Sequence, residues 1–227
     1  MTAGVHPHSR GLGLTSPVSR ARMIDELRQQ GVSDERVLAA MLKIPRHEFV
    51  EEAWRGEAYR SKSLPIGLAQ TLSQPYVVGL MTQLLLEPSA ECAARKNVLE
   101  VGTGSGYQTA VLAEVVERVY SVERLKALSE IARNRLQGLR YRNVHFGYAD
   151  GTAGWAAHAP YDAIIVTAAA SEVPKALQEQ LARGGRLVIP VGPPNQQVLR
   201  VVDRVGARFQ SRDVAAVSFV PLLEGKA

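Results

Sequence analysis

The chain has few of the features that build disulfide, metal or membrane structures. Its single cysteine, Cys92, excludes an internal disulfide and a Cys-x-x-Cys motif, which suits a reducing compartment. No apolar run approaches the roughly 18 residues that a membrane-spanning helix needs. The five histidines show no metal-ligand spacing. We therefore expect a cytoplasmic protein with no metal and no membrane attachment.

Net positive charge is concentrated at the start of the chain. The net charge of +5 comes from 27 basic and 22 acidic residues, and residues 1–22 hold Arg10, Arg20 and Arg22 but no acid. The remainder is close to neutral, so a basic nucleic-acid-binding surface is not indicated. Residues 1–22 are also rich in Gly, Ser, Pro and His. This composition predicts a disordered tail, followed by a single domain over residues 23–227.

A glycine-rich segment dominates the middle of the chain. The apolar run Val98–Val101 predicts a buried parallel strand. Gly102, Gly104 and Gly106 follow at every second position, and residues 110–113 have helical spacing. A strand, a glycine turn and a helix in this order are typical of a nucleotide-type site. The glycines let the backbone approach a ligand, and the helix start offers free N–H groups.

The glycine spacing narrows the choice of cofactor. A dinucleotide turn reads G-x-G-x-x-G, but Tyr107 stands where the third glycine would fall. A phosphate loop would need Gly-Lys-Ser/Thr, which does not follow. S-adenosyl-L-methionine has no pyrophosphate and fits the G-x-G-x-G spacing better. The plainer alternative is a connecting turn without a ligand.

The rest of the pattern predicts an α/β fold. Further strands are expected at residues 118–122, 143–147, 161–167 and 186–191, helices at 124–136 and 172–181, and an antiparallel edge from 197–205, 208–215 and 217–222. Helices at 22–30 and 33–42, with Ser33 as a cap, and one near Pro75 come first. The prediction is a doubly wound, mostly parallel sheet with an antiparallel C-terminal edge and an N-terminal helical extension. Residues 23–90 would form the cap region and residues 91–227 the cofactor-binding core.

Three polar side chains are candidates for the site. Glu123 ends the second parallel strand, where its carboxylate could accept hydrogen bonds from both ribose hydroxyls; a solvated charge is the alternative. Asp150 precedes Gly151 in the next turn and could accept from an adenine amine, although Asp-Gly is also an ordinary turn. Ser73 lies just before Pro75, and its local interpretation is a helix N-cap.

Several blocks of the sequence resemble protein-L-isoaspartate O-methyltransferases, which have the class I S-adenosylmethionine-dependent fold. The blocks are Leu64–Gly67 with Gln70–Tyr76, Val98–Ala113, Tyr161–Ala168, Gly184–Gly192 and the closing Val217–Leu222. The block around Thr71-Leu72-Ser73 is the specific one, because other class I enzymes lack it. Family members usually have Ile in place of Leu72. The likeness spans residues 23–223.

The resemblance implies methyl transfer from S-adenosyl-L-methionine to the free α-carboxylate of an isoaspartyl residue, with S-adenosyl-L-homocysteine as product. Such a carboxylate is already ionised at neutral pH, and a sulfonium is an activated leaving group, so neither a strong base nor a metal is needed. Carried over residue by residue, Ser73 is the catalytic serine that orients the carboxylate. The implied cofactor-binding residues are Gln70, Thr71, Leu72, Gly102, Thr103, Gly104, Gly106, Glu123, Asp150 and Gly151.

The implied partners are isoaspartyl peptides and damaged proteins, with no nucleic acid, and the expected state is a monomer. The nearest rival is a class I methyltransferase acting on RNA or a small molecule. The nearly neutral folded region and the lack of an aromatic and basic patch count against RNA. A non-catalytic module that binds a nucleoside or a protein is a second rival. A nicotinamide dehydrogenase is a third, disfavoured by Tyr107.

Overall fold

The computed structural model describes residues 13–89, 91 and 94–227. They form two compact units, one ending at Gln83 and the other beginning at Leu84. The boundary predicted after residue 90 lies close to this division. Residues 1–12 of the predicted tail lie outside the described residues. Across the described ranges, no helix has the length and apolar character required to cross a membrane.

The unit that ends at Gln83 is built from short helices and a small hairpin. Its elements are α1 (Pro17–Gln29), α2 (Glu35–Lys43), β1 (Leu64–Pro65) and β2 (Thr71–Leu72), followed by the start of α3 (Pro75–Leu86). Helices α1 and α2 bury apolar side chains that include Leu27, Val37 and Met41. The predicted helix start at Pro75 is confirmed.

Helix α1 begins earlier than the sequence pattern predicts. It starts at Pro17 rather than Arg22, because Ser16 caps it with its hydroxyl 3.3 Å from the backbone nitrogen of Ser19. Proline also suits the first helical position, where its missing N–H has no partner to lose. Residues 17–22 are therefore helical and not disordered, so the predicted tail was too long.

Helix α2 is capped by Asp34 and not by Ser33. The Asp34 carboxylate accepts from the backbone N–H of Arg36 at 2.9 Å, and the helix begins at Glu35. Gln83 holds the two residues that precede the helix. Its Oε1 accepts hydrogen bonds from the backbone nitrogens of Ser33 and Asp34 at 2.7 and 2.8 Å. The predicted cap was one residue too early.

The unit that begins at Leu84 contains a seven-stranded sheet. Its elements are β3 (Asn97–Val101), α4 (Tyr107–Val115), β4 (Arg118–Glu123), α5 (Lys126–Gly138), β5 (Val144–Tyr148), β6 (Tyr161–Val166), α6 (Lys175–Glu179), β7 (Leu181–Val191), β8 (Gln197–Val205) and β9 (Arg208–Val217). The strand order is β5-β4-β3-β6-β7-β8-β9. Neighbours from β5 to β7 pair in parallel, and β7, β8 and β9 pair antiparallel. This confirms the predicted fold class.

The strand order indicates where in this sheet a ligand-binding site is expected. Strand β3 has β4 on one side and β6 on the other, so the chain reverses its direction of winding there. Such a reversal opens a crevice at the carboxyl ends of the strands. The strands on either side are anchored by a buried core that includes Leu99, Ile164, Leu187 and Ile189.

Three details of this unit differ from the sequence prediction. Helix α6 is shorter than the predicted 172–181. Residues 183–185, expected as a turn, lie within β7 beside an irregularity in its register with β6. The predicted strand 217–222 is absent, because β9 already pairs with β8 along its whole length up to Val217. Beyond it, Pro221 makes only an isolated bridge with Ala169.

Candidate active site

The glycine loop connects β3 to α4. Gly102, Gly104 and Gly106 all have positive φ, at 96°, 53° and 91°. At Gly102, a Cβ would collide with the Thr167 hydroxyl, and at Gly106 it would lie 2.5 Å from a methyl carbon of Leu136. Glycine is therefore required at both positions by backbone conformation and by space.

Glu123 is fixed beside this loop at the end of β4. Its Oε2 accepts from the backbone N–H of Gly104 at 2.9 Å, and its Oε1 accepts from that of Leu125 at 3.0 Å. A carboxylate has about four lone-pair positions, so each oxygen keeps one for a ligand. The arrangement orients the carboxylate before any ligand binds and fits a pair of sugar hydroxyls.

Asp150 and Gly151 follow β5 at the same edge of the sheet. Asp150 Oδ1 accepts from the Thr152 nitrogen and hydroxyl at 2.9 and 2.7 Å, and Oδ2 accepts from the Gly225 nitrogen at 2.7 Å. Burial would raise the pKa of Asp150, but these hydrogen bonds outweigh it and lower the pKa. A Cβ on Gly151 would collide with Val101. Asp150 thus has structural partners as well as the expected role toward adenine.

Gln70, Thr71 and Leu72 belong to the other unit, at the end of the β1–β2 hairpin. Gln70 closes the turn through its carbonyl, which accepts from Ile66 at 3.0 Å, and its N–H, which donates to Gly67 at 2.9 Å. Thr71 is exposed and Leu72 is buried. The turn contains two non-glycine residues with positive φ, Leu68 at 51° and Ala69 at 56°.

Ser73 follows directly, with an anchored backbone. Its carbonyl accepts from Nη2 of Arg46 at 2.6 Å, and Nε of the same buried guanidinium donates to the Ala58 carbonyl at 2.7 Å. The first backbone bond of α3 goes from Val78 to the Gln74 carbonyl, so Gln74 holds the capping position. Within the described part of the chain, the Ser73 hydroxyl is half-buried and has no hydrogen-bond partner.

The structure therefore brings seven of the predicted residues together and leaves four in the other unit. The glycine loop, Glu123 and the Asp150 turn lie at the carboxyl ends of β3, β4 and β5. The predicted set that meets there is Gly102, Thr103, Gly104, Gly106, Glu123, Asp150 and Gly151. Gln70, Thr71, Leu72 and Ser73 share one short segment of the unit that ends at Gln83.

Two residues that support this site were not predicted. The Thr167 hydroxyl donates to the Gly102 carbonyl at 2.7 Å and holds the start of the loop. Glu100, inside β3, hydrogen-bonds to two hydroxyls beneath the loop. For Thr167 the only available signal is its place at the carboxyl end of a central strand. For Glu100 the signal is an acidic residue within an apolar strand.

Known proteins match this architecture along nearly the whole chain. The model of the protein-L-isoaspartate(D-aspartate) O-methyltransferase family matches residues 18–227. A protein-L-isoaspartate O-methyltransferase of Halorhodospira halophila is 55% identical over 219 residues, covering 96% of this chain and 98% of its own. One from Pseudomonas paraeruginosa is 52% identical, covering 93% of this chain and 99% of its own.

Solved structures agree. A protein-L-isoaspartate O-methyltransferase superposes with a TM-score of 0.79 at 30% identity, covering 89% of this chain and 65% of its own length. A Plasmodium falciparum protein described as an enzyme of this kind, solved with S-adenosyl-L-homocysteine, gives a TM-score of 0.76 at 24% identity and shares the fold, covering 90% of this chain and 98% of its own. The chain belongs to the protein-L-isoaspartate(D-aspartate) O-methyltransferase family.

Proposed function

We propose that this chain transfers a methyl group from S-adenosyl-L-methionine to the free α-carboxylate of L-isoaspartyl residues in damaged proteins and peptides. Family membership over residues 18–227 supports the reaction. The single structural observation that carries the cofactor part is the Glu123 carboxylate, fixed by the Gly104 N–H next to a loop with no room for side chains at Gly102 and Gly106.

The residues of the loop unit fit the cofactor in two ways. Glu123 offers a pre-oriented carboxylate to the ribose hydroxyls, and charge-assisted hydrogen bonds of this kind are the stronger ones. At Gly102 and Gly151 a Cβ would collide with Thr167 and Val101, so a side chain at either position would displace the backbone of the proposed pocket. We assign Gly102, Gly104 and Gly106 to the methionine side of the pocket and Asp150 and Gly151 to its adenine side. Thr103 binds the cofactor from within the same loop. When bound, the cofactor supplies a methyl group on a positively charged sulfur.

We assign binding of the methyl-accepting substrate to Ser73. Its hydroxyl is available in the described structure, and its backbone is held by Arg46. We assign Ser73 to hydrogen-bond and orient the attacking carboxylate, which already carries its charge at neutral pH. We also assign Gln70, Thr71 and Leu72 of the β1–β2 hairpin to cofactor binding. Catalysis then comes from alignment of the reacting atoms and exclusion of water.

We also propose that the protein acts as a cytoplasmic monomer. The single cysteine suits a reducing compartment. Light scattering on the purified protein measures the mass directly. A mass near 24.7 kDa is the expected result, and a dimer would contradict the proposal.

The reaction is tested with labelled S-adenosyl-L-methionine and two peptides that differ only in one isoaspartyl or aspartyl linkage. We expect base-labile label on the isoaspartyl peptide alone, because only that linkage presents the free α-carboxylate in the right place. Cofactor binding without transfer to either peptide would reject the proposed substrate and favour an RNA or small-molecule acceptor.

The cofactor assignment is tested by Glu123→Ala. Loss of charge-assisted hydrogen bonds should weaken S-adenosyl-L-homocysteine binding by about 1.5–3 kcal/mol, measured by calorimetry. Glu130→Ala, at an exposed position of α5, is the matched control and should bind as the wild type does. Unchanged affinity in Glu123→Ala would remove this residue from the site.

A further inference from the structure

Glu100 is a carboxyl group with no access to solvent. It lies in β3, two residues before Gly102, and its exposed fraction is 0%. Its Oε2 lies 2.5 Å from the Thr109 hydroxyl of α4 and 2.6 Å from the Ser121 hydroxyl of β4. One carboxyl oxygen therefore joins the central strand to the neighbouring strand and to the helix that follows the loop.

The same cluster reaches the glycine loop. The Ser121 hydroxyl is also 2.6 Å from the hydroxyl of Thr103, the residue between Gly102 and Gly104. Thr103, Thr109 and Ser121 are all buried. A continuous chain of hydrogen bonds thus runs from Glu100 through Ser121 to the loop that we assign to the cofactor.

The surroundings of Glu100 favour its neutral form. Oε1 is buried and has no hydrogen-bond partner among the described residues, so a negative charge there would lack solvation. Hydroxyl groups, unlike backbone N–H groups, both donate and accept, so they match a carboxylic acid as well as a carboxylate. The charged group that acts on Glu100 is Glu123, which repels a second negative charge. Burial first, and Glu123 in addition, raise the pKa of Glu100 to about 8, against the opposing hydrogen bonds from Ser121 and Thr109.

We propose that Glu100 is a positioning residue which, as a neutral acid, holds the glycine loop against β4 and α4, and that its ionisation releases the loop and weakens cofactor binding. Glu100 acts through Ser121 and Thr103 and does not itself touch the cofactor. The proposal rests on the cofactor site assigned above.

The test is calorimetric binding of S-adenosyl-L-homocysteine to wild type, Glu100→Gln and Glu100→Ala between pH 6.5 and 9.5. The α-amino group of this ligand also titrates near pH 8, so the ratio of the dissociation constants of wild type and Glu100→Gln is taken at each pH. That ratio cancels the ligand's own titration. Glutamine has the shape of the neutral acid and cannot ionise.

At pH 7, Glu100→Gln should retain binding, and Glu100→Ala should bind about tenfold more weakly because the cluster loses its centre. If only the neutral form supports binding, the ratio of wild type to Glu100→Gln should rise about tenfold between pH 7 and pH 9. Ser121→Ala removes the hydrogen bonds of this hydroxyl with Thr103 and with Glu100, and leaves the carboxyl group bonded to Thr109. It should weaken binding about fivefold at pH 7.

A ratio that stays constant across the pH range would overturn the proposal. So would a Glu100→Gln protein that fails to fold, because a site built for a neutral acid accepts the amide. A wild type that binds no cofactor at any pH would instead reject the cofactor site itself. The two failures are therefore distinguishable.

Discussion

The two segments proposed to act in methyl transfer each rest on one fully buried ionisable side chain, and the two side chains differ. Arg46, 0% exposed, holds the Ser73 segment by donating to the Ser73 and Ala58 carbonyls. Glu100, also 0% exposed, supports the glycine loop through hydroxyl groups. Each anchor lies within its own unit of the chain.

The difference follows from what each group can do with its charge. Arginine stays protonated in proteins, so a buried guanidinium needs carbonyl acceptors and gives an anchor that does not change with pH. A carboxyl group can bind a proton, so it can sit among hydroxyls with one oxygen unpartnered. We infer that the hydrogen bonds of Arg46 do not change with pH and that those of Glu100 do.

Replacing Arg46 should have the largest effect. In Arg46→Met, two backbone carbonyls lose their donor, and each buried acceptor without a partner costs about 1–3 kcal/mol. We expect the free energy of unfolding to fall by about 2–5 kcal/mol in a urea titration. Arg36→Met, which removes an exposed ion pair with Asp34, is the control and should cost less than about 1 kcal/mol. Equal losses in the two variants would deny Arg46 its anchoring role.

Glu100→Gln should stabilise the protein at neutral pH. The pKa of Glu100 rises from its ordinary 4.5 to about 8 on folding. The folded state therefore binds the proton more tightly, and stability is lost as pH rises from the unfolded pKa through the folded one. Glutamine avoids this loss, so the variant should gain on the order of 3 kcal/mol over wild type at pH 7 and almost nothing at pH 4. Thermal unfolding at both pH values measures the gain, and an equal difference at the two would refute the shift.

Gly102→Ala should distort the glycine loop and weaken cofactor binding. Its Cβ would collide with Thr167, and φ is 96°, so the substitution forces strain of a few kcal/mol and a displaced backbone. We expect the dissociation constant of S-adenosyl-L-homocysteine to rise about 100-fold. Gly206→Ala has the same kind of φ but open space around it and should leave binding unchanged. Similar binding in both would mean that loop geometry does not govern the site.

The smallest effect is expected in the hairpin turn. Ala69 has a φ of 56° and its side chain is exposed, so glycine should relieve strain without loss of packing. Ala69→Gly is expected to raise the free energy of unfolding by about 0.5–1 kcal/mol. Ala39→Gly, at an exposed position within α2, should lower it by about 1 kcal/mol. Destabilisation by both substitutions would contradict the strained conformation.

The sequence predicts the proposed cofactor-binding residues better than the buried residues that support them. The strand β3, the glycine turn and the placement of Glu123 follow from local pattern and strand order, because both are encoded by neighbouring residues. The Glu100 cluster does not, since its hydroxyl partners Thr109 and Ser121 lie 9 and 21 residues away. Nothing in the local pattern specifies such contacts.

Two errors of the sequence prediction have different origins. The early start of α1 could have been predicted from the sequence, because Ser16 followed by Pro17 is a known helix-start pattern. The predicted strand over 217–222 was not correctable from pattern alone. Its alternation resembles a strand, but β8 begins only at Gln197, which already pairs with Val217. The partner length, a tertiary property, decides where β9 stops.

We propose that the Ser73 segment orients the methyl-accepting carboxylate and that the glycine loop binds the cofactor. The most direct test of this division of roles is a single-turnover measurement on Ser73→Ala with an isoaspartyl peptide. The Ser73 hydroxyl has no partner in the described structure, so its loss should leave folding intact. We expect the transfer rate to fall about 10- to 100-fold, with the S-adenosyl-L-homocysteine dissociation constant unchanged. Ser211→Ala, an exposed serine of β9, should match wild type in both. An unchanged rate, or cofactor affinity lost in parallel with the rate, would contradict the proposal that Ser73 orients the methyl-accepting carboxylate.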